Sequence, residues 1–207
     1  MLTTIRLACA ALALMAAAPG SHAGVLFDST FNGPNDGSSP KPANAGAGQT
    51  LAFDPSISPQ PVGSFGFLLT AAANTTFKFL IFGGKTTQLF EINRTTSTAL
   101  NRTLFMSPEF NFLIPQANQY TFAVVADKAF SIDYDTQSRP LTQNGITEMV
   151  GQNANYVGFS TPLYSRDGLA EIKMVLNSPV VAVPEASSAV LLGLGLLGIG
   201  AFLRRRS

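Results

Sequence analysis

Cys9 and His22 are the only thiol and the only imidazole in the 207-residue chain, and both precede Gly24. The stretch ahead of Gly24 runs from Arg6 through the apolar run Leu7 to Ala18, then a Pro19-Gly20 break, then Ser21-His22-Ala23. Small side chains at Ser21 and Ala23 are what signal peptidase accepts, and the apolar run is too short to span a bilayer. Cys9 has no leucine three positions back and no apolar stretch before it, so it reads as an ordinary signal-peptide residue. Cleavage between Ala23 and Gly24 therefore removes thiol and imidazole together. A mature chain without either excludes Ser-His-Asp and Cys-His triads, cysteine or histidine zinc sites, haem attachment and internal disulfides.

The chemistry left to the mature chain is that of carboxylates, hydroxyls and phenols. Asp133-Tyr134-Asp135, with Asp127 before it and Asn144 after it, offers the hard oxygen donors that calcium takes. The sequence has no Asp-x-Asp-x-Asp-Gly loop, and alternating carboxylates on one strand face are ordinarily solvated. Asp133 and Asp135 are thus the calcium candidates, while the expectation is no metal and no cofactor. Glycoside hydrolysis needs two carboxyl groups flanking a sugar bond, for which Glu91, Glu109, Glu148 and Asp133 are available. Sugar recognition also uses aromatic platforms, and with no Trp these are limited to Tyr120, Tyr134, Tyr156 and Tyr164. The reading is a chain that is not an enzyme.

Charge narrows the partners. Between Gly24 and Val183 nine cations face eleven anions, a net charge of −2 with no run of clustered Lys/Arg. Nucleic-acid binding needs such clusters to displace counterions, so no nucleic-acid partner is expected.

The C-terminal residues read Val183-Pro184-Glu185-Ala186-Ser187-Ser188, then the apolar run Ala189 to Leu203, then Arg204-Arg205-Arg206-Ser207. The 17 uncharged residues from Ser187 to Leu203 would span roughly 25 Å as a helix, the low end for crossing a membrane. Arg204, Arg205 and Arg206 stay cytoplasmic by the positive-inside rule and act as a stop-transfer signal, which puts the preceding chain outside. Gly193-Leu194-Gly195-Leu196-Leu197-Gly198 matches a nucleotide-binding turn by spacing. No strand precedes it and the segment is continuously apolar, so that match carries nothing.

A Val-Pro-Glu motif, a short Leu/Gly-rich helix and a terminal arginine cluster, in that order, resemble the PEP-CTERM sorting signal recognised by exosortase. Ala186 stands where that pattern usually has a second proline. The resemblance implies a Gram-negative bacterium, export by the general secretory route, and cleavage by signal peptidase. It further implies an inner-membrane intermediate held by the C-terminal helix, cutting by exosortase near Pro184-Glu185, and delivery to the cell surface or extracellular matrix. Exopolysaccharide and biofilm are the implied associates. The sorting residues would be Val183, Pro184, Glu185 and Ala186.

The segments that must carry any site lie between the two signals. Residues 24–48 are rich in Gly, Pro, Asn and Ser and predict a flexible N-terminal arm after the signal peptide of residues 1–23. From Gln49 the pattern changes to short runs of period two: Ser64 to Leu69, then Thr75 to Phe82 with Phe77, Phe79 and Ile81 on one face. Gly83-Gly84 then predicts a hairpin into Gln88 to Arg94. Further strands are predicted at 103–106, 109–114, 120–126, 130–135, 146–150, 156–160 and 169–175. These predict an all-β ectodomain over residues 49–178, an antiparallel β-sandwich of jelly-roll or Ig-like kind with a phenylalanine core. A linker at 179–188, the membrane helix at 189–203 and the basic tail at 204–207 complete the organisation. Ile114 to Tyr120 has the form of a tyrosine corner or of an ordinary strand entry. Phe77 to Ile92, Ile114 to Tyr120 and Asn144-Gly145-Ile146 also resemble, loosely, the generic PEP-CTERM ectodomain, which implies a fold and no active site. The leading expectation is a structural or adhesive module. A carbohydrate-binding module using Tyr134, Tyr156 or Tyr164 is the alternative, and a glycoside hydrolase a third.

Overall fold

The structure is a computed structural model describing residues 23–30, 37–136, 140–149, 151–168 and 170–180. Residues 1–22 of the predicted signal peptide, Val183 to Ala186, the apolar run and the three arginines lie outside the described residues, whereas the predicted cleavage residues Ala23 and Gly24 lie within them. Among the described residues no helix is long and apolar enough to cross a membrane. Ala23–Pro179 forms a compact unit.

Alternating phenylalanines generate two facing layers. In β5 (Ser64–Ala71) Phe65, Phe67 and Leu69 are buried in the central core, as are Phe77, Phe79 and Ile81 of β6 (Thr76–Gly83) and Tyr120, Phe122 and Val124 of β10 (Gln119–Ala126). The first sheet runs β1 (Val25–Asp28), β17 (Met174–Asn177), β5, β11 (Phe130–Asp135) and β16 (Glu171–Ile172). On its flanks β2 (Gly37–Lys41) pairs with β11 and β8 (Leu100–Met106) with β5. The second sheet runs β12 (Thr142–Gln143), β13 (Ile146–Glu148), β3 (Ala45–Phe53), β10, β6 and β7 (Thr87–Thr95). It is extended where β14 (Asn153–Val157) pairs with both β3 and β15 (Leu163–Gly168). A separate short ladder joins β4 (Gln60–Val62) to β9 (Phe112–Ile114). The paired strands are antiparallel, and the chain passes repeatedly from one sheet to the other, so the core is closed by contacts distant in sequence.

Phe65 is the hub of that core. Its ring meets Phe67 and Phe110 and, from the opposite sheet, Phe79 and Phe122, with centroids 5.2 to 6.0 Å apart and planes near perpendicular. Edge-to-face pairs of this kind add to the stabilisation from burial alone. Phe65→Ala should lower the unfolding free energy by about 3–5 kcal/mol, because the cavity it leaves is walled by rigid rings. Urea unfolding would show this as a lower midpoint at unchanged slope; a midpoint within error of wild type would place the core elsewhere.

β6 is apolar on both faces for a structural reason. Leu80 and Phe82 point away from the central core and join Ala123, Val125, Ala154 and Tyr156 in a second, smaller cluster, with Phe159 and Tyr164 against it. Only Lys78 breaks the run; it pairs with Glu91 at 2.8 Å and lies over the Phe159 ring at 5.2 Å.

Two expectations are corrected. Residues 24–48 supply β1, β2 and the start of β3 instead of a flexible arm. Glycine content lowers intrinsic strand preference, but here glycine permits close approach. A Cβ on Gly46 would lie 2.1 Å from the Val124 carbonyl oxygen, and one on Gly48 would lie 2.5 Å from that of Phe122. The strand predicted over 169–175 is broken, since Lys173 separates β16 from β17, and β15 precedes it where no strand was predicted. The Gly83-Gly84 hairpin forms between β6 and β7, with Gly84 at φ +65°. Tyr120 adopts the corner arrangement, its hydroxyl donating to the Gln116 carbonyl oxygen at 3.3 Å.

Candidate functional site

The edge of the first sheet at β2 and that of the second at β14 and β15 leave a cleft of about 530 Å³ between them. Its floor is apolar, with Ala47, Ile132 and Ile172, and its walls carry Lys41, Tyr134, Asn153, Asn155, Arg166 and Asp167. Each polar group is placed by strand register. Asn155 sits opposite Arg166 in the β14–β15 ladder. The Lys41 ammonium reaches over from β2 and donates to Asn155 Oδ1 at 2.6 Å. Tyr134 lies over Gly37, where a Cβ would be 3.2 Å from its phenol oxygen. Asn153 is fixed by donating its amide to the Ala170 carbonyl. Lys85, on the turn after β6, pairs with Asp167.

Electrostatics at the cleft follow from this placement. Burial, and then the nearby Arg166, hold the Lys41 ammonium below its ordinary pKa. The hydrogen bond from Lys85 holds the Asp167 carboxyl below the usual carboxylate range. Among the described residues neither Lys41 nor Arg166 takes part in an ion pair. With Asp167 engaged by Lys85, Lys41 and Arg166 leave a local excess of positive charge at the cleft of a domain that is negative overall.

The predicted calcium residues do something else. Asp133 is fully buried with Arg102 Nε 3.0 Å from its Oδ2, and Asp135 is buried with Lys173 Nζ at 3.2 Å. Both are internal ion-pair partners and not a solvated face. No group of three or more His, Cys, Asp or Glu among the described residues is arranged to hold a metal. Glu148, also buried, has its pKa pushed up to about 8, first by desolvation and then by the negative charges of Glu171 and Asp135, against the opposing pull of Lys173. Glu171 is raised as well, chiefly by burial.

The four carboxylates considered for glycoside hydrolysis are not gathered in the cleft. Glu91 is tied to Lys78, Glu109 is exposed ahead of β9, and Asp133 and Glu148 are interior. Of the tyrosines, Tyr134 lines the cleft. Tyr156 is 1% exposed, stacked on Phe82 at 4.7 Å, and donates to the Lys85 carbonyl at 3.1 Å, so it is a core residue and not a surface platform. Tyr164 packs edge-on against Tyr156 and is half-buried. Sequence reasoning missed Lys41, Lys85, Arg166 and the two asparagines, which lie in separate segments and share no local pattern.

These features define a class: an all-β module of antiparallel sheets whose Ala23–Pro179 body contains neither cysteine nor histidine, with a polar cleft at one sheet edge. Residues 182–206 match the family model described as the PEP-CTERM protein-sorting motif. The chain carries a PEP-CTERM sorting motif, which implies export, targeting to exosortase and a C-terminally membrane-anchored intermediate. Comparison with curated proteins gives no match. Among solved structures, one titled "Structure of infectious bursal disease virus Gt strain" is similar at 13% identity, over 86% of this chain and 44% of that chain, with a TM-score of 0.22. The chain thus spans less than half of that protein, and at this TM-score the likeness carries no argument.

Proposed function

We propose that the sandwich is a non-catalytic structural or adhesive module, displayed at the cell surface or in the extracellular matrix of a Gram-negative bacterium alongside exopolysaccharide. The observation that carries this reading is the sorting motif at residues 182–206. It is supported by the interior carboxylates Asp133 and Asp135, which are engaged with Arg102 and Lys173 inside the fold. Deleting the gene in the native host should weaken matrix cohesion, measured as retained biofilm mass under shear. Restoring the full chain should recover it, and restoring residues 1–182 should not. Unchanged biofilm in the deletion strain would overturn the proposal.

A second reading, carbohydrate binding, is favoured by the cleft, which combines an apolar floor with amide, hydroxyl and cationic groups on its walls.

A further inference from the structure

We infer that the cleft between β2 and the β14–β15 hairpin is a binding site for an acidic polysaccharide, with Lys41 and Arg166 holding a carboxylate of the polymer. The inference rests on the carbohydrate reading and gives it a substrate class. Lys41 donates to Asn155, which lies opposite Arg166 in the β14–β15 ladder, and both cations line the recess close enough for Arg166 to act on the Lys41 charge. The nearest carboxylate on the walls, Asp167, is engaged with Lys85. Two like charges therefore meet in a recess where, among the described residues, neither is in an ion pair.

Such an arrangement is unfavourable when empty and is relieved by an anion placed between them. Burial is the main cause of the lowered Lys41 pKa, and the second cause, the Arg166 charge, is this like-charge repulsion. A planar guanidinium forks onto a carboxylate, while the ammonium adds a point charge. Asn153, Ser38 and the Tyr134 phenol line the same recess and suit the hydroxyls of a sugar ring. Tyr134 also presents ring surface to a pyranose face. A nucleic acid fits less well, because it needs a row of cations along several phosphates and stacking platforms for its bases. Two cations in one recess suit one acidic sugar unit of a longer chain.

The test uses the mature chain as released from cells, with polygalacturonate as the probe and fully methyl-esterified polygalacturonate as its neutral counterpart. Affinity electrophoresis or calorimetry should show binding to the acidic polymer, at least tenfold weaker binding to the ester, and a loss of affinity with added salt. Arg166→Gln and Lys41→Gln should each weaken binding by about tenfold at unchanged melting temperature, while Arg94→Gln, exposed on the edge strand β7 and outside the cleft lining, should not weaken it. Equal binding of acid and ester, retention of affinity in both cleft variants, absence of binding, or preference for single-stranded DNA would each overturn the inference. The result is independent of the surface-display proposal, which is decided by the biofilm measurement on cells.

Discussion

Glu148→Gln is expected to stabilise the domain by on the order of 3 kcal/mol at neutral pH and to change it little near pH 4. In the native fold Glu148 is enclosed, neither carboxyl oxygen has a hydrogen-bond partner among the described residues, and its pKa is pushed up to about 8 from an ordinary 4.5. Burial is the main cause, with Glu171 and Asp135 adding negative charge and Lys173 partly opposing them. A carboxyl raised on folding favours the folded state most below its unfolded pKa. That contribution is lost as pH rises from about 4.5 towards about 8, because the unfolded chain releases its proton first. Glutamine keeps the neutral shape of the protonated acid and removes the titration. Glu171 is raised in the same direction, so acidification across this window should strengthen the wild-type fold. Urea unfolding at pH 4, 6 and 8 checks both points. Wild-type stability that is flat over the range, or a Gln variant weaker at pH 8, would show that Glu148 is not held protonated inside the domain.

The parts of this fold that depend on local pattern were legible. Phe65, Phe67, Phe77, Phe79 and Phe122 alternate within their own strands, and Gly83-Gly84 carries its turn chemistry in two adjacent residues. What escaped depends on partners far along the chain. Gly46 and Gly48 look like loop residues until β10 is laid against them and their missing side chains become the reason the strands can approach. Asp133 and Asp135 look like a solvated face until Arg102 and Lys173 arrive from distant parts of the chain. The cleft is the extreme case. Lys41, Tyr134 and Arg166 come from three separate segments, and nothing local in the sequence marks them as neighbours. By contrast, the sorting motif is wholly local, a linear signal read by enzymes from the chain itself.

Loss of release on changing Glu185 is the other large effect expected. Pro184 has no N–H and disfavours helix in Val183, so an extended motif is expected from the sequence. Glu185 carries a charge that is costly to bury in lipid and so is expected to limit how far the apolar segment enters the membrane. Glu185→Ala removes that limit and should leave full-length chain accumulating in the membrane fraction. Ala186→Pro restores the usual second proline and should release at least as much product as wild type. Serine at Arg204, Arg205 and Arg206 removes the stop-transfer charge and should impair retention and orientation.

Mass spectrometry of both ends of the chain, in the native host and in a strain lacking exosortase, tests the central claim most directly. The host should release a product that begins at Gly24 and ends near Pro184-Glu185, while the exosortase-deficient strain should retain chain extending to Ser207 in its membranes. Identical release from both strains, or normal release of Glu185→Ala in the host, would show that the tail is an ordinary anchor cut by another protease.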